Sequence, residues 1–423
     1  MRHADHPQTR FDDHAAGAPA VAPHALRLAV VTETYPPEVN GVAMTVARLV
    51  QGLAGRGHAL QLVRPRQHAA DHADVPAADG PPGLRQLLLP GLPIPRYPQL
   101  KMGLPARRAL LSCWTAQRPD LVHLATEGPL GWSALQAARA LRLPVTTDFR
   151  TNFHAYSRHY GIGWLRAPIL AYLRRFHNDA QATMVPTEAL RRELVAEGFR
   201  DVAVVARGVD AQQFSPAHRS AALRAAWGAG PDTLVVACVG RLAPEKNLGL
   251  LLQAFEAMRR QRADSRLLLV GDGPARRELQ AQCPQALFAG NRSGADLAAH
   301  YASADAFVFP SVTETFGNVT PEAMASGLPV LAYGYAAAAR LIRHGENGLL
   351  APLHDAAAFV AQAAQLAADI GHARALGHAA RQTALAHQWD AVVGQVEALM
   401  RSAIHRAPQV GPGGLQLAAR EVR

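Results

Sequence analysis

The sequence has few lysines, few cysteines and no long apolar run. Lys101 and Lys246 are the only lysines among 43 basic residues, so arginine carries nearly all of the positive charge. The 3 cysteines show no Cys-x-x-Cys spacing, which argues against a disulfide framework and a metal-binding pair. Their apolar surroundings predict reduced, buried side chains at Cys113, Cys238 and Cys283.

No stretch approaches the roughly 18 apolar residues that a membrane-spanning helix needs. Residues 1–25 are rich in His, Asp and Pro and lack the apolar core of a secretory signal. We expect these residues to form a disordered leader and residues 407–423 a disordered tail. The expected location is the cytoplasm, with peripheral attachment to the inner face of the membrane as an alternative.

Positive charge is concentrated in the first half of the chain. The formal net charge is +10, and residues 27–207 hold 22 Lys and Arg against 13 Asp and Glu, a balance of +9. Such a surface attracts anions, whether phosphates, acidic lipid headgroups or nucleic acid. A generally arginine-rich composition is the alternative explanation. Because no RNA- or DNA-binding motif is present, no nucleic-acid partner is expected.

Two series of short apolar runs alternate with helix-length segments along the chain. Strands that are apolar on both faces, with helices between them, indicate parallel sheets covered on both sides. The sequence therefore predicts an α/β protein with two doubly wound, Rossmann-like domains, at 26–208 and 209–388, facing each other across a cleft. The predicted strands are 26–31, 58–63, 84–89, 121–125, 144–147, 182–185 and 202–205, then 233–240, 266–270, 286–289, 306–309, 329–331 and 348–350.

Two loops that follow predicted strands carry residues suited to a diphosphate. Gly41 opens a helix after the first strand, and a helix N-terminus with free N–H groups favours phosphate. Arg241 and Lys246 lie five residues apart after the strand 233–240, where they could grip a diphosphate and stabilise the charge of a departing one. A plain turn residue and two solvated cations are the alternative interpretations.

Two further turns of the second domain suit the floor of a nucleotide base. Gly273 lies in a tight turn after the strand 266–270, and Asn291 and Arg292 follow the strand 286–289. Purely structural turns are the alternative at both places.

The longest motif runs from residue 309 to residue 330. A predicted buried strand ends at Pro310, and the loop after it carries Glu314. Gly317 opens a helix that bears Glu322. One carboxylate can face the cleft while the other reaches a hydroxyl pair such as a ribose diol. Free N–H groups near Gly317, Asn318 and Val319 can meet sugar hydroxyls or a phosphate. An exposed loop carboxylate and a solvated helix carboxylate are the alternatives.

Residues 309–330 resemble the E-x7-E signature of the retaining glycosyltransferases of family four, which have the GT-B fold. Other segments resemble motifs of the same family in the same order, over about residues 26–405. They are residues 35–42, Arg207-Gly208-Val209-Asp210, Gly240-Arg241-Leu242 with Lys246-Asn247, and Val270-Gly271-Asp272-Gly273-Pro274. The resemblance implies a final helix at 389–406, beginning at Trp389, that crosses back onto the first domain.

The resemblance implies a hexosyltransferase with its nucleotide sugar on the second domain and its acceptor on the first. Arg241 and Lys246 would neutralise the leaving diphosphate. Glu314 would hold donor hydroxyls and support positive charge on the sugar ring, and Glu322 would bind the ribose. Retention without an enzymic nucleophile implies a front-face displacement in which the donor phosphate helps to deprotonate the acceptor. No paired acidic metal motif is present, so no metal and no other cofactor is expected.

Residues 148–157 look most like the GDP-mannose-dependent α-mannosyltransferases of that family. His154 matches a histidine that family members place over the donor sugar, and a packed or solvated histidine is the alternative. The expected co-substrate is GDP-mannose, and the expected acceptor is lipid-linked or a glycan. The chain departs from the family at Tyr333-Gly334-Tyr335, where many members carry Gly-Gly-x-Pro-Glu, and this departure leaves the hexose open.

Residues 164–177 alternate apolar and aromatic side chains with arginines such as Arg174 and Arg175. A surface helix of this kind suits an anionic membrane, to which each Arg contributes about 1 kcal/mol. An ordinary core-facing helix with a solvated basic face is the alternative. Three other functions also fit parts of the sequence: a sugar-nucleotide epimerase, a glycan phosphorylase and a non-enzymatic basic binding protein.

Overall fold

The computed structural model describes residues 25–38, 40–67, 84–94, 97–150 and 166–407. Residues 1–24 and 408–423 lie outside the described residues, and so does His154. The predicted leader, the predicted tail and the predicted histidine contact therefore stay predictions.

The first domain is a sheet of short parallel strands with helices on both faces. Its elements are β1 (Arg27–Val31), α1 (Gly41–Gly55), β2 (Ala59–Pro65), β3 (Leu84–Leu89), β4 (Gly91–Ile94), β5 (Tyr97–Gly103), α2 (Arg107–Ala116), β6 (Leu121–Leu124), α3 (Pro129–Ala140), β7 (Val145–Asp148), α4 (Arg166–Asn178), β8 (Ala182–Val185), α5 (Glu188–Ala196) and β9 (Val202–Val204). The strand order is β3-β2-β1-β6-β7-β8-β9. The order reverses between β1 and β6, and ligands of such sheets bind where the order reverses, beyond the carboxyl ends of the strands.

Both faces of this sheet are apolar, as the continuous apolar runs predicted. Side chains of a strand alternate between faces. Ala29 and Val31 of β1 lie in one core with α2 and α3, whereas Leu28 and Val30 lie in the opposite core with α1. The helices therefore bury both sides of the parallel sheet.

The antiparallel pair β4–β5 is absent from the predicted strands. Leu92 lies opposite Met102 in this pair. Both strands contain proline, which lacks an N–H for the ladder and is depleted in strands, so the sequence pattern did not indicate them. The Gly103 N–H donates to the Glu33 carboxylate, which ties the end of β5 to the segment after β1.

The second domain repeats the architecture of the first. Its elements are α6 (Ala221–Ala226), β10 (Leu234–Val239), α7 (Leu248–Gln261), β11 (Ser265–Val270), α8 (Arg276–Gln282), β12 (Leu287–Gly290), α9 (Gly294–Ser303), β13 (Ala306–Phe309), α10 (Val319–Ala325), β14 (Val330–Tyr333), α11 (Ala336–Leu341), β15 (Leu349–Ala351), α12 (Ala356–Ala368) and α13 (Ile370–Leu385). The parallel order is β12-β11-β10-β13-β14-β15, with its reversal between β10 and β13. The prediction of two doubly wound domains is confirmed.

The last helix, α14 (Trp389–Arg406), returns to the first domain, as the family resemblance implied. Val393 and Met400 join the core that contains α1. Gly52 of α1 permits this approach, because a Cβ at that position would lie 2.4 Å from a methyl of Val393. The ion pair between Arg56 and Asp390, with 2.7 Å between nitrogen and oxygen, joins the same two helices.

The two chain segments that connect the domains run side by side. The Val209 N–H donates to the His387 carbonyl at 3.0 Å. Gly208 lies against the backbone of Trp389, where a Cβ would approach the chain to 2.6 Å. The outgoing and the returning segment are therefore in direct backbone contact.

The predicted basic helix is present as α4, and it packs as an ordinary amphipathic helix. Leu173 and Phe176 are buried, whereas Arg174 and Arg175 are exposed. The Arg175 guanidinium lies 5.5 Å from the ring centre of Trp132. Membrane contact by this face stays a prediction.

The cysteine prediction needs one correction. Cys238 and Cys283 are buried and free, but Cys113 is only partly buried. The Gln61 side-chain amide of β2 donates to its sulfur at 3.2 Å. The apolar neighbours of Cys113 along the chain did not show this polar contact from a neighbouring strand.

Candidate active site

Both domains present the carboxyl ends of their central strands to the same region. From the first domain this region receives the N-terminus of α1, and from the second domain it receives the loop before α10. A Cβ placed on Gly41 would lie 3.6 Å from Nη1 of Arg207 and 3.8 Å from Nδ2 of Asn318. Gly41 and Asn318, predicted to bind one ligand from opposite domains, are therefore neighbours.

The N-terminus of α1 is partly capped by its own chain. The Asn40 side-chain oxygen accepts from the N–H groups of Val42 and Ala43 at 3.1 and 2.8 Å. A short polar side chain at this position satisfies donors that the helix leaves open. The Gly41 N–H does not share this cap, and the Cα of Gly41 faces Arg207 and Asn318.

Lys246 and Glu314 meet directly, which the sequence predicted only as a shared region. Lys246 follows a short turn after β10, and its ammonium forms an ion pair with Oε1 of Glu314. The same ammonium lies 5.7 Å from the ring centre of Phe309, at the end of β13. Ser311 donates to Glu314 Oε1 at 2.7 Å. The carboxylate is therefore fixed by two donors at the edge of the sheet.

Arg241 lies on the same loop as Lys246 and forms an ion pair with Glu245. Gly240 has a φ of +144°, a conformation that non-glycine residues rarely adopt. This glycine turns the chain sharply after β10, so that the cation follows at the strand end. Each of the two predicted diphosphate cations thus forms an ion pair with a carboxylate of the second domain.

The turn that contains Gly273 packs against residues 240–247, the loop that holds Arg241 and Lys246 and is called the cation loop below. A Cβ on Gly273 would lie 2.3 Å from the Leu242 carbonyl, and a Cβ on Gly271 would lie 2.0 Å from the Gly240 carbonyl. The Leu242 N–H donates to the Asp272 carbonyl at 2.9 Å. The two glycines therefore allow the turn after β11 to approach the cation loop closely.

Asn291 and Arg292, the other predicted contacts of the base, are exposed. Arg292 forms an ion pair with Asp296 at 3.0 Å and donates to the Ala289 carbonyl at 2.9 Å. The structure places them at the end of β12, and their role toward a base stays a prediction.

The segment between Glu314 and α10 turns at Gly317, whose φ is +89°. Asn318 precedes Val319, the first residue of α10. The Asn318 side chain makes no capping hydrogen bond to α10, and its oxygen accepts from Arg207 of the other domain. The predicted N–H donors near Gly317, Asn318 and Val319 lie at the junction of the two domains.

Glu322 is partly buried, and its carboxyl contacts the neighbouring helix α9. The Tyr301 hydroxyl of α9 donates to its Oε2 at 3.0 Å. Burial raises the pKa of the Glu322 carboxyl to about 7, although the bond from Tyr301 acts in the opposite direction. The carboxyl is therefore bound by a neighbouring helix, and its role toward a ribose stays a prediction.

Two residues near the site were missed by the sequence analysis. Arg207 had been quoted only as part of the segment between the domains, and Tyr335 only as a departure from the family pattern. Tyr335 lines a small cavity with Ser311 and Glu314. Its buried hydroxyl makes no hydrogen bond to the residues that the structure describes. Burial raises the pKa of this hydroxyl, and the charge of Glu314 adds to the effect.

Arg207 is buried between the domains, with 9% of its surface exposed. Its Nη1 donates to Oδ1 of Asn318 at 3.3 Å, and its guanidinium lies 5.8 Å from the ring centre of Phe316. Burial lowers the pKa of Arg207 to about 9, and the charge of Arg150 adds to the effect. An arginine directly after a predicted strand was the available sequence signal.

The segment before His154 contains a buried charged network. Asp148 accepts from His123 at 3.1 Å and from Arg150. Burial alone would raise the pKa of Asp148, but the charges of Arg150 and His123 outweigh it and lower the pKa to about 2. Asp148 therefore stays ionised and holds Arg150 at the end of β7.

Two searches of the described residues bear on cofactors and membranes. Within residues 25–38, 40–67, 84–94, 97–150 and 166–407, no group of three or more His, Cys, Asp or Glu side chains could hold a metal ion. In the same ranges, no helix has the length and apolarity to cross a membrane.

Two family models match the chain, one on each domain. Residues 39–213 match the model described as Glycosyltransferase Family 4. Residues 233–369 match the model described as Glycosyl transferases group 1. The first match begins after β1 and includes the other strands of the first sheet, and the second match includes all strands of the second sheet.

Curated relatives match nearly the whole chain. A GDP-mannose-dependent alpha-mannosyltransferase of Mycobacterium tuberculosis is 35% identical over 382 residues, which cover 88% of this chain and 97% of the relative. The sulfoquinovosyl transferase SQD2 of Arabidopsis thaliana is 29% identical over 404 residues, covering 92% and 77%. Among solved structures, the sucrose-phosphate synthase of Thermosynechococcus elongatus superposes with a TM-score of 0.71 at 22% identity, covering 89% of this chain and 98% of that one.

Proposed function

Because the chain belongs to glycosyltransferase family 4, we propose that it moves mannose from GDP-mannose to a lipid-linked or glycan acceptor. It is a hexosyltransferase with a nucleotide-sugar donor. The choice of mannose is supported by the 35% identity to an alpha-mannosyltransferase over most of both chains. One observation in the site carries the mechanism: the ion pair between Lys246 and Glu314 at the edge of the second sheet.

The cations of the loop after β10 would stabilise the departing diphosphate. Arg241 can offer a planar fork of donors and Lys246 a compact charge. Within the protein each cation has a carboxylate partner, Glu245 or Glu314. A bound diphosphate competes for these cations, so binding would turn the Glu314 carboxylate toward the donor sugar. Fixed charges aimed at the leaving group lower the barrier without reorganisation at the moment of reaction.

Glu314 would hold donor hydroxyls and support positive charge on the sugar ring. We further propose transfer with retention by a front-face displacement. The bond from the anomeric carbon to the diphosphate oxygen breaks, the acceptor oxygen bonds to the same face, and a donor phosphate oxygen takes the acceptor proton. The His154 side chain is assigned to a sugar hydroxyl, and Glu322 to the ribose. This scheme includes no metal ion, because cationic side chains, Arg241 and Lys246 among them, supply positive charge.

The acceptor would enter from the first domain. Residues 27–207 carry a charge of +9, and several large apolar side chains of this domain are exposed, Met44 at 45%, Leu92 at 54% and Met102 at 38%. Exposed apolar groups within a basic surface suit an acceptor that has a lipid anchor and an anionic headgroup. This combination supports peripheral attachment to an anionic membrane.

Transfer assays on two variants test the proposal. Glu314→Gln and Lys246→Ala should each lower kcat with GDP-mannose by about 10²- to 10³-fold, the range found when a single stabilising group is removed. Lys101→Ala is the matched control, because it removes the only other lysine, whose ammonium donates to a backbone carbonyl of the first domain. Near-normal turnover in either site variant, with folding intact, would remove that residue from the mechanism.

The donor is tested separately by a thermal-shift screen of GDP-, UDP- and ADP-sugars. A ligand that binds the folded state raises its Tm. GDP-mannose should give the largest shift. A larger shift with a UDP- or ADP-sugar would contradict the assigned base and leave the transfer mechanism to the kinetic assays.

A further inference from the structure

Arg207 is a buried cation that forms no ion pair with any residue that the structure describes. Among the residues that the structure describes, its one hydrogen-bond partner is the Asn318 side chain at 3.3 Å, and no carboxylate lies within ion-pair distance. A guanidinium has five N–H donors, so most of its hydrogen-bonding capacity is unused. Burying a charge without a partner costs free energy, and sites that tolerate this cost commonly bind a counter-ion.

The neighbouring charges do not supply that counter-ion. Asp148 influences Arg207 electrostatically, but it already accepts from Arg150 and His123. Glu314, the other acidic group that acts on Arg207, is in the ion pair with Lys246. Arg150 adds a second positive charge nearby. The summed charge of the first-domain groups around the guanidinium is therefore positive.

The position of Arg207 indicates which anion would neutralise this positive charge. A Cβ on Gly41 would lie 3.6 Å from Nη1 of Arg207, so the guanidinium adjoins the N-terminus of the fifteen-residue helix α1. Helix N-termini attract anions through their free N–H groups and dipole. On the other side, Asn318 and Phe316 belong to the segment that carries Glu314. Arg207 thus lies between the α1 N-terminus and the segment assigned to the donor.

We infer that Arg207 is a third cation of the donor site, which binds the diphosphate of the nucleotide sugar from the first-domain side. This inference rests on the proposed function. Arg241, Lys246, Glu245 and Glu314 together are neutral, so they leave the two negative charges of a bound diphosphate uncompensated. The positive charge of Arg207 compensates part of this negative charge. Arg207 also links the diphosphate to the first domain when the domains close around the donor.

Binding of GDP and GMP to Arg207→Gln tests this contact. Loss of a bond between two charged groups should weaken GDP binding by about 10- to 100-fold. GMP lacks the second phosphate and should bind within twofold of its wild-type affinity. Arg48→Gln is the matched control, because Arg48 of α1 also contacts the segment between the domains, through Asp210 at 2.8 Å. It should change neither affinity.

Unchanged GDP binding in a folded Arg207→Gln variant would overturn the inference, as would an equal loss for GDP and GMP. Unchanged GDP binding with a raised acceptor KM would assign Arg207 to an acceptor anion instead. If Arg207→Gln does not fold, Arg207→Lys decides: it keeps the charge without the fork, and GDP binding should weaken by about 3- to 10-fold. Unchanged GDP binding in that variant would also overturn the inference.

A purely positioning role through Asn318 predicts a different result. In that case Arg207→Gln should cause no further loss of GDP binding once Asn318→Ala is present. The direct contact predicts a further loss of at least about fivefold in the double variant. If the wild-type protein binds UDP rather than GDP, the base of the proposed function is wrong. The comparison of Arg207 variants is then made with UDP and UMP, and the same ratio is expected.

Discussion

Glu322 should make donor binding depend on pH. Its carboxyl is assigned to the ribose, whose hydroxyls donate most strongly to an ionised carboxylate. Burial raises the pKa of this carboxyl to about 7, and the bond from Tyr301 offsets only part of that rise. Nucleotide-sugar binding should therefore strengthen as the pH rises through this range, because binding no longer includes the cost of removing a proton.

The size of the effect follows from the pKa of about 7. At pH 5 only about 1% of the carboxyl is ionised, so binding of a donor that requires the carboxylate weakens by up to about 100-fold between pH 8 and pH 5. The stability of the free protein changes in the opposite direction. A raised pKa in the folded state favours folding below the ordinary value of 4.5, and this contribution, about 3 kcal/mol, is lost as the pH rises through 7.

Isothermal titration of GDP-mannose from pH 5 to pH 8 measures the effect, because both phosphates of a nucleotide sugar are already ionised at pH 5. Glu322→Gln should bind with a nearly constant Kd over the same range. Tyr301→Phe should move the midpoint to higher pH, since it removes the bond that lowers the pKa of Glu322. A flat wild-type profile, or the same slope in Glu322→Gln, would refute the assignment of Glu322 to the ribose.

Three further outcomes are expected. Transfer should survive EDTA, and a complete loss that Mg²⁺ restores would contradict stabilisation of the diphosphate by the cationic side chains of the protein. Charge reversal of Arg174 and Arg175 to Glu should weaken binding to anionic liposomes, mainly at low salt; unchanged sedimentation with liposomes would remove α4 from the membrane surface. Gly271→Ala should lower the free energy of unfolding by about 1–3 kcal/mol in urea and weaken donor binding, because its φ is +132° and its Cβ would meet the Gly240 carbonyl. The control Gly249→Ala, where a Cβ meets nothing within 4 Å, should not destabilise, and equal loss in both would contradict this reasoning.

The alternation of buried strands with helices could be predicted because short parallel strands are continuously apolar. The strands 84–89, 182–185 and 306–309 were predicted with the ends that the structure has, and the other predicted strands end within two residues of the observed ones. The hairpin β4–β5 was not predictable in this way, since its pairing depends on contacts with the segment after β1 and its prolines oppose strand formation.

Residues of the candidate site could be predicted where a single loop after a strand contains a cation or a carboxylate of suitable chemistry. Lys246 and Glu314 were selected from their own loops, and the structure adds their ion pair. Arg207 was not selected, because its burial results from contact with Asn318, which lies 111 residues further along the chain. Nor does spacing show that Tyr301 encloses Glu322. Residues whose role arises from contacts between distant segments carry no local pattern.

The paired segments between the domains determine how the molecule can bend. A single connecting segment would place little restraint on the relative orientation of the two domains. Here two segments connect them, and these segments are hydrogen-bonded to each other at Val209 and His387. Sliding of one segment past the other would break this backbone contact. Because two segments connect the domains, cleavage of either one alone leaves the domains joined by the other.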